Sequence, residues 1–112
     1  MTQEPIPAIN FTISDNAKRG IEQLRRSFDA HASDAADVPT IGWARYKPSD
    51  GTPYENVAVT FYSRSQRQQI ASAIQEVSGI EIVYLPVPAD HAKFEGKVLD
   101  WSQSKGFFLR QP

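Results

Sequence analysis

Apolar residues recur at helical spacing near the start of the chain. Four of them follow at intervals of four, three and four, with charged residues between them: Ala17, Ile21, Leu24 and Phe28. This periodicity predicts an amphipathic helix over about residues 15–30, with Ser14 and Asp15 as its N-terminal residues. Residues 9–13 alternate apolar and polar positions just before it, which predicts a short strand.

Two alternating runs separated by turn-forming residues predict a β-hairpin. Residues 40–46 and 55–62 alternate apolar and polar side chains, and residues 47–53 (KPSDGTP) between them are rich in Gly, Pro, Ser and Asp. Tyr46 and Tyr54 flank this turn, so we expect their rings to be exposed. Exposed tyrosines often anchor a protein partner, although rings in this position also pack simply across their own hairpin.

The second half of the chain predicts one more helix and further short strands. Residues 64–77 carry apolar side chains at helical spacing, and Gly79 follows where a C-terminal cap glycine belongs: Ile70, Ala73, Ile74 and Val77. Residues 89–94 predict a single helical turn. β-Branched and aromatic residues predict three strands, at residues 80–85, 97–101 and 107–109.

The composition is that of one folded α+β domain. Pro5 and Pro7 interrupt regular pairing, so we expect residues 1–8 to be a flexible segment and residues 9–112 to form a single domain with two main helices and about five or six short strands. Six aromatic residues fall on the inward phase of their elements and are predicted to build the core: Phe11, Phe28, Trp43, Phe61, Tyr84 and Trp101.

Charge and cysteine content exclude several classes of partner. The chain has 12 Lys and Arg against 13 Asp and Glu, a formal net charge of -1, and no cysteine. Such a surface has no general attraction for nucleic acid or anionic membrane. No apolar stretch is long enough to span a bilayer, and the first residues lack the basic and apolar regions of a signal peptide. We therefore expect a soluble, cytoplasmic protein without disulfides.

Three segments are similar to a known family. Residues 11–21 (FTISDNAKRGI) open the chain as a strand followed by a helix, residues 96–101 read GKVLDW and residues 106–109 read GFFL. In these motifs and their spacing the chain resembles the A-type iron–sulfur carriers, also called the HesB-like family, over about residues 9–112. The resemblance implies a small mixed β-sandwich and self-association into dimers or larger assemblies. It also implies that Asp100 tethers a turn through hydrogen bonds.

The chain departs from this family at the residues that bind the cluster. Family members use three cysteines, one in the hairpin turn and two in a Cys-Gly-Cys pair beyond the last strand. Here Ser49 and Thr52 stand nearest the first position, and no cysteine occurs anywhere. The family's cluster function is therefore not carried over, and we expect no cofactor.

A metal site built from other ligands is the alternative. The chain has two histidines, His31 and His91, and acidic residues lie near each of them, Asp90 among them. Such residues could hold iron in a divergent metal-handling protein of iron–sulfur cluster assembly. The simpler interpretation is that both histidines are solvated loop residues, because a metal site normally gathers three or four converging ligands.

Arginines on the two predicted helices could form a basic patch if the helices lie side by side: Arg19, Arg25, Arg26, Arg64 and Arg67. The simpler alternative is two ordinary solvated helix faces. No nucleophile motif or phosphate-binding loop is present, so we do not expect an enzyme. The sequence favours a non-catalytic accessory or protein-interaction domain whose partner is unidentified. The residues that we expect at its interaction surfaces are Tyr46, Tyr54, Arg64 and Arg67.

Overall fold

The computed structural model describes residues 8–31 and 34–112. Within them lie three α-helices and seven strands in two sheets, which confirms the predicted α+β class. Most of the segment predicted to be flexible lies outside the described residues. The helices are α1 (Asp15–His31), α2 (Arg67–Ile70) and α3 (Pro88–Phe94). The strands are β1 (Thr12–Ile13), β2 (Ala36–Tyr46), β3 (Tyr54–Ser63), β4 (Ile74–Val77), β5 (Ile80–Tyr84), β6 (Val98–Ser102) and β7 (Gly106–Arg110).

The described strands form a three-stranded and a four-stranded sheet. The smaller has the order β1-β6-β7, with β1 parallel to β6 and β7 antiparallel to it. The larger has the order β3-β2-β5-β4, in which only β2 and β5 are parallel. One core cluster draws buried side chains from both sheets and from α1 and α3: Phe11, Ile13, Ala17, Ile41, Val57, Ile82, Tyr84, Phe94 and Leu99.

The predicted first helix is confirmed at its start and along its buried face. The Ser14 hydroxyl accepts a hydrogen bond from the backbone N–H of Ala17 at 3.0 Å, as an N-cap residue does. Ala17 and Ile21 are buried, as predicted. The prediction that Phe28 belongs to the core is wrong, because this side chain is 39% exposed. It lies in the last turns of α1, where its ring packs against Phe61 at a centroid distance of 5.5 Å.

The predicted hairpin is confirmed, and its first strand is longer than the sequence indicated. Strand β2 begins at Ala36. Pro39 lies inside it and is paired with Phe61, so this proline does not end the strand. The antiparallel register runs to the Tyr46–Tyr54 pair beside the turn. The predicted strand at residues 9–13 is shorter than expected, since only Thr12 and Ile13 pair with β6.

The second predicted helix, over residues 64–77, is wrong in its last four residues. A short helical segment covers residues 64–73, as α2 between two 3-10 turns, and Ile74–Val77 is strand β4. Gly79 is not a helix cap but lies in the tight turn between β4 and β5, where Ser78 and Gly79 have φ of 51° and 86°. Two successive positive φ values are the backbone of a two-residue hairpin turn. In the described part of the chain no helix is long and apolar enough to cross a membrane.

Candidate interaction site on the hairpin

Two stacked tyrosines mark the end of the β2–β3 hairpin. Tyr46 and Tyr54 are paired across the strands, and their rings lie 4.9 Å apart at an interplanar angle of 24°. Both remain open to solvent, at 42% and 57% exposure, as predicted. A shallow recess of about 480 Å³ adjoins them, and it is also lined by Pro53 and by three charged residues, Arg45, Lys47 and Glu55. Stacked aromatic rings offer apolar area at low cost in side-chain entropy, which suits a binding surface.

One face of this hairpin carries no charge. Strand alternation places Gly42 and Ala44 on the same face as Tyr46, and the register sets Ala58 and Asn56 opposite them. A Cβ on Gly42 would meet no atom within 4 Å, so this face is open to solvent at that point. We call the six residues that form this face the outer strip, namely Gly42, Ala44, Tyr46, Tyr54, Asn56 and Ala58.

The opposite face of the hairpin is joined to α3 by four alternating charges. Arg45 Nη2 lies 2.7 Å from Asp90 Oδ1, and Lys93 Nζ lies 3.2 Å from the same oxygen. Lys93 Nζ also lies 2.7 Å from Glu55 Oε1, and Arg45 Nε lies 3.6 Å from Glu55 Oε2. We call this closed ring the ion quartet. Arg45 and Glu55 are cross-strand partners one position before the tyrosine pair, so the quartet fixes the hairpin next to it.

The quartet perturbs the acidity of its own members. The hydrogen bond from Arg45 lowers the pKa of Asp90, whose carboxylate is almost fully buried, and Lys93 lowers it further. The hydrogen bond from Lys93 lowers the pKa of Glu55. Lys93 also sits over the Trp43 ring, with Nζ 4.8 Å from the ring centroid. Each charge is therefore held in its ionised form against an opposite charge, as in a structural network.

The structure does not bring the possible metal ligands together. In residues 8–31 and 34–112 no three His, Asp or Glu side chains are grouped closely enough to share a metal ion. His31 ends α1, whereas His91 and Asp90 lie in α3. Asp90 is engaged by Arg45 and Lys93, as described above.

His91 belongs to a network of hydrogen bonds around the buried Tyr84. The Tyr84 hydroxyl donates to Asn10 Oδ1 at 3.2 Å and lies 2.9 Å from His91 Nδ1. Asn10 Nδ2 donates to the His91 carbonyl, which fixes the orientation of the amide. The single hydroxyl proton goes to Asn10, so the remaining contact is satisfied when His91 Nδ1–H donates to the Tyr84 oxygen. Burial raises the pKa of Tyr84, and the negative charge of Asp90 adds to this effect.

The predicted arginines lie far from the tyrosines. Arg64 directly follows β3, and its backbone N–H donates to the Ala35 carbonyl at the opposite end of the hairpin. At a rise of about 3.3 Å per residue, β3 separates Arg64 from Tyr54 by about 30 Å. Arg67 is neutralised, since its guanidinium donates to the carboxylates of Asp37 and Glu81. The two predicted surfaces are therefore separate.

Sequence reasoning missed three of the four quartet residues: Arg45, Glu55 and Lys93. The predicted hairpin would have paired Arg45 with Glu55, because each stands one position further from the turn than the tyrosine on its strand. The spacing of Asp90 and Lys93 is that of an i,i+3 helix pair, at which charged side chains meet. What the sequence did not indicate is that α3 lies against this part of the hairpin.

Asp100, which the resemblance implies tethers a turn, makes hydrogen bonds to the start of α1, within β6 and to the end of β7. Its Oδ1 accepts hydrogen bonds from the Ser14 hydroxyl at 2.7 Å and from the Trp101 N–H at 2.8 Å. Its Oδ2 accepts from Arg110 Nε at 2.6 Å. One carboxylate therefore connects the start of α1 with β6 and the end of β7.

Comparison with known proteins adds no assignment to this geometry. No protein-family model matches the sequence. A search of curated proteins likewise finds no match.

Proposed function

We propose that this protein is a non-catalytic accessory domain that binds a partner protein through the outer strip of its β2–β3 hairpin. The observation that carries the proposal is the Tyr46–Tyr54 stack, which is exposed at the end of a hairpin whose other face is held by the ion quartet. Aromatic anchors on a rigid support bind partners at a small entropic cost.

The chemistry of the outer strip defines the partner surface. Its residues are uncharged. The small residues Gly42 and Ala44 lie on the same face of β2 as Tyr46. An uncharged strip beside two aromatic rings fits an uncharged, apolar surface better than an acidic or basic one. Charged groups placed against it would lose water without gaining a counter-charge.

The family resemblance supports an accessory role rather than cluster transfer. When the helical segment 64–73 and β4 are set aside, the described elements follow the order that the resemblance implies: a strand and a helix, a hairpin, a further strand, a short helix and two final strands. The hairpin turn, where the family has its first cysteine, carries Ser49 and Thr52, and the whole chain lacks thiols. We propose that the scaffold is used here for binding and not for holding a cluster.

The experiment is affinity capture from a lysate of the source cells, with three tagged forms of the chain as bait. The wild type is compared with Tyr46→Ala/Tyr54→Ala, which removes both rings, and with Tyr46→Phe/Tyr54→Phe, which keeps the rings and removes only the hydroxyls. We expect a near-stoichiometric partner to be retained by the wild type and the Phe variant and lost by the Ala variant. Circular dichroism and thermal unfolding establish that all three are folded. Capture that is the same for the Ala variant, or no capture by the wild type, would overturn the proposal.

A further inference from the structure

Asp50 differs from every other aspartate of the chain in the freedom of its carboxylate. The chain has seven aspartates, and six of them are held by a hydrogen bond or an ion pair: Asp15, Asp29, Asp34, Asp37, Asp90 and Asp100. Asp50 lies in the exposed turn between β2 and β3. Among residues 8–31 and 34–112 its carboxylate has no hydrogen bond and no ion pair.

The next residue, Gly51, presents an unshielded backbone nitrogen to this carboxylate. Gly51 is exposed, and glycine has no Cβ to cover its own N–H. The hydrogen bond from this N–H to the Pro48 carbonyl is 3.5 Å long, which is beyond the usual range for an N–H donor. The other six aspartates and the three asparagines are each followed by a residue with a side chain, and the three asparagine side chains are hydrogen-bonded.

We propose that Asp50 is a site of spontaneous isoaspartate formation in the folded protein. The backbone nitrogen of Gly51 attacks Cγ of Asp50, so that an N–Cγ bond forms and a Cγ–O bond breaks. The carboxyl oxygen leaves as water with the amide proton and the carboxyl proton, and a five-membered succinimide ring remains. Water then opens the ring at either of its carbonyl carbons. Opening at Cγ restores aspartate, whereas opening at the backbone carbonyl carbon leaves the chain running through Cγ.

The fold can accept the product at this position. Isoaspartate adds one methylene group to the backbone and leaves the former backbone carbonyl carbon as a free carboxylate. The antiparallel ladder ends at the Tyr46–Tyr54 pair, so the extra length falls in residues 47–53, where no strand pairing has to be kept. Exposed loop tips are the places where a chain tolerates such changes. The carboxylate created there is the group that isoaspartate-specific methyltransferases esterify, so an enzyme of this class is the partner that fits the modified turn.

This inference goes beyond the proposed function and does not depend on it. The reaction needs only the chain and water, and it is measured on the purified protein in the absence of any partner. The tyrosine rings take no part in it. If Asp50 does not isomerise, the outer strip remains as proposed, and a failure of partner capture leaves the chemistry of the turn unchanged.

Incubation in water enriched in the heavy oxygen isotope detects each opening of the ring. The folded chain is kept at neutral pH for several weeks and then digested with trypsin in ordinary water. The peptide of residues 46–64 contains Asp50 as its single aspartate, because trypsin does not cleave between Lys47 and Pro48. Every opening of the ring adds one solvent oxygen, and the isoaspartyl peptide resists the protease that cleaves before aspartate. We expect labelled aspartyl and isoaspartyl forms of this peptide, and no label at the other six aspartates. Esterification by an isoaspartate-specific methyltransferase should follow the same time course.

Two variants of the turn and an unfolded sample complete the test. Gly51→Ala should slow the labelling on the order of tenfold, because a side chain shields the nitrogen and restricts the backbone. Ser49→Ala changes the same turn but keeps the Asp-Gly pair, so its rate should equal that of the wild type. Circular dichroism establishes that both variants are folded, since a Cβ on Gly51 would lie 3.2 Å from Pro48 Cγ. Labelling that appears in guanidinium-unfolded chain but not in folded chain would overturn the proposal, because the folded turn would then block the attack. A Gly51→Ala variant that labels as fast as the wild type would also overturn it.

Discussion

Gly20 lies directly against the indole ring of Trp101. A Cβ built on Gly20 would be 2.4 Å from Cγ of Trp101 and under 3 Å from two more ring atoms. Gly20 is buried in the middle of α1, and Trp101 is in β6, the strand that also carries the Asp100 tether. The absence of a side chain at position 20 is therefore what lets the first helix approach the smaller sheet.

Gly20→Ala is expected to destabilise the protein, although alanine is ordinarily the better helix former by about 1 kcal/mol. The added methyl group must displace a large ring in a packed contact, and overpacking of this kind typically costs about 1–3 kcal/mol. The measurement is the free energy of unfolding from urea denaturation. Gly42→Ala is the control, because its Cβ would meet nothing within 4 Å. A Gly20→Ala variant as stable as the wild type would contradict this account of the contact.

Gly79→Ala tests the turn between β4 and β5. Nothing lies within 4 Å of the added Cβ, but the φ of 86° is a backbone conformation that L-residues with a side chain rarely adopt. We expect a loss of about 1–2 kcal/mol in the free energy of unfolding, from backbone strain alone. The same denaturation experiment measures it, again beside Gly42→Ala. If residues 64–77 were one helix capped by Gly79, alanine would still be costly, but hydrogen exchange would then find every amide of residues 74–77 protected, whereas an edge strand protects only alternate amides.

The sequence predicts the elements whose pattern has one interpretation. Helix α1 has four apolar positions on a single face together with a serine cap, and the hairpin has alternating strands around a turn rich in glycine and proline. Residues 74–77 satisfy two patterns at once. Ile74 and Val77 continue the helical spacing of Ile70, but both are β-branched and stand before a Ser-Gly turn. Pairing with β5, a contact that periodicity does not include, decides in favour of the strand.

The candidate site also has one part that the sequence predicts and one part that it does not. The exposure of Tyr46 and Tyr54 follows from local position beside the turn. The ion quartet does not, because it depends on where α3 docks, and Asp90 and Arg45 are 45 positions apart in the chain. Arg67 shows the opposite error. The sequence predicts an exposed basic residue on a helix. In the fold, the carboxylates of Asp37 and Glu81 pair with the Arg67 guanidinium and balance its charge.

Tyr84 is expected to remain protonated when ordinary tyrosines ionise, at a pH of about 10. Its folded-state pKa is raised, first by burial and then by Asp90, so the fold favours the neutral phenol. The resulting stability is present below the unfolded pKa and is lost as pH rises above it. Tyrosinate absorbance of wild type and Tyr84→Phe should therefore coincide through the first alkaline transition and diverge only when the protein unfolds. A wild type that titrates one more tyrosine than Tyr84→Phe while still folded would contradict the prediction.

Asp90→Asn is expected to change how stability depends on acidity. The pKa values of Asp90 and Glu55 are lowered in the fold, by hydrogen bonds from Arg45 and from Lys93 respectively. Their contribution is therefore present above the unfolded carboxyl pKa, about 4, and is lost as pH falls through the lowered folded values. Replacing Asp90 breaks the ring at its buried carboxylate, which contacts both cations. The variant should be less stable near pH 7 and should lose less further stability on acidification.

Unfolding curves at several values between pH 7 and pH 2 measure this, with the difference between wild type and variant as the quantity of interest. Taking the difference matters because the pKa values of Asp34 and Asp100 are also lowered and weaken the wild type in the same range. Asp50→Asn is the matched control, since this exposed residue of the hairpin turn makes no ion pair with any residue that the structure describes. We expect a wild-type minus Asp90→Asn difference that shrinks towards acid pH, and a constant one for Asp50→Asn. A difference for Asp90→Asn that is independent of pH would mean that the carboxylate acts through packing and that the quartet does not hold the hairpin by charge.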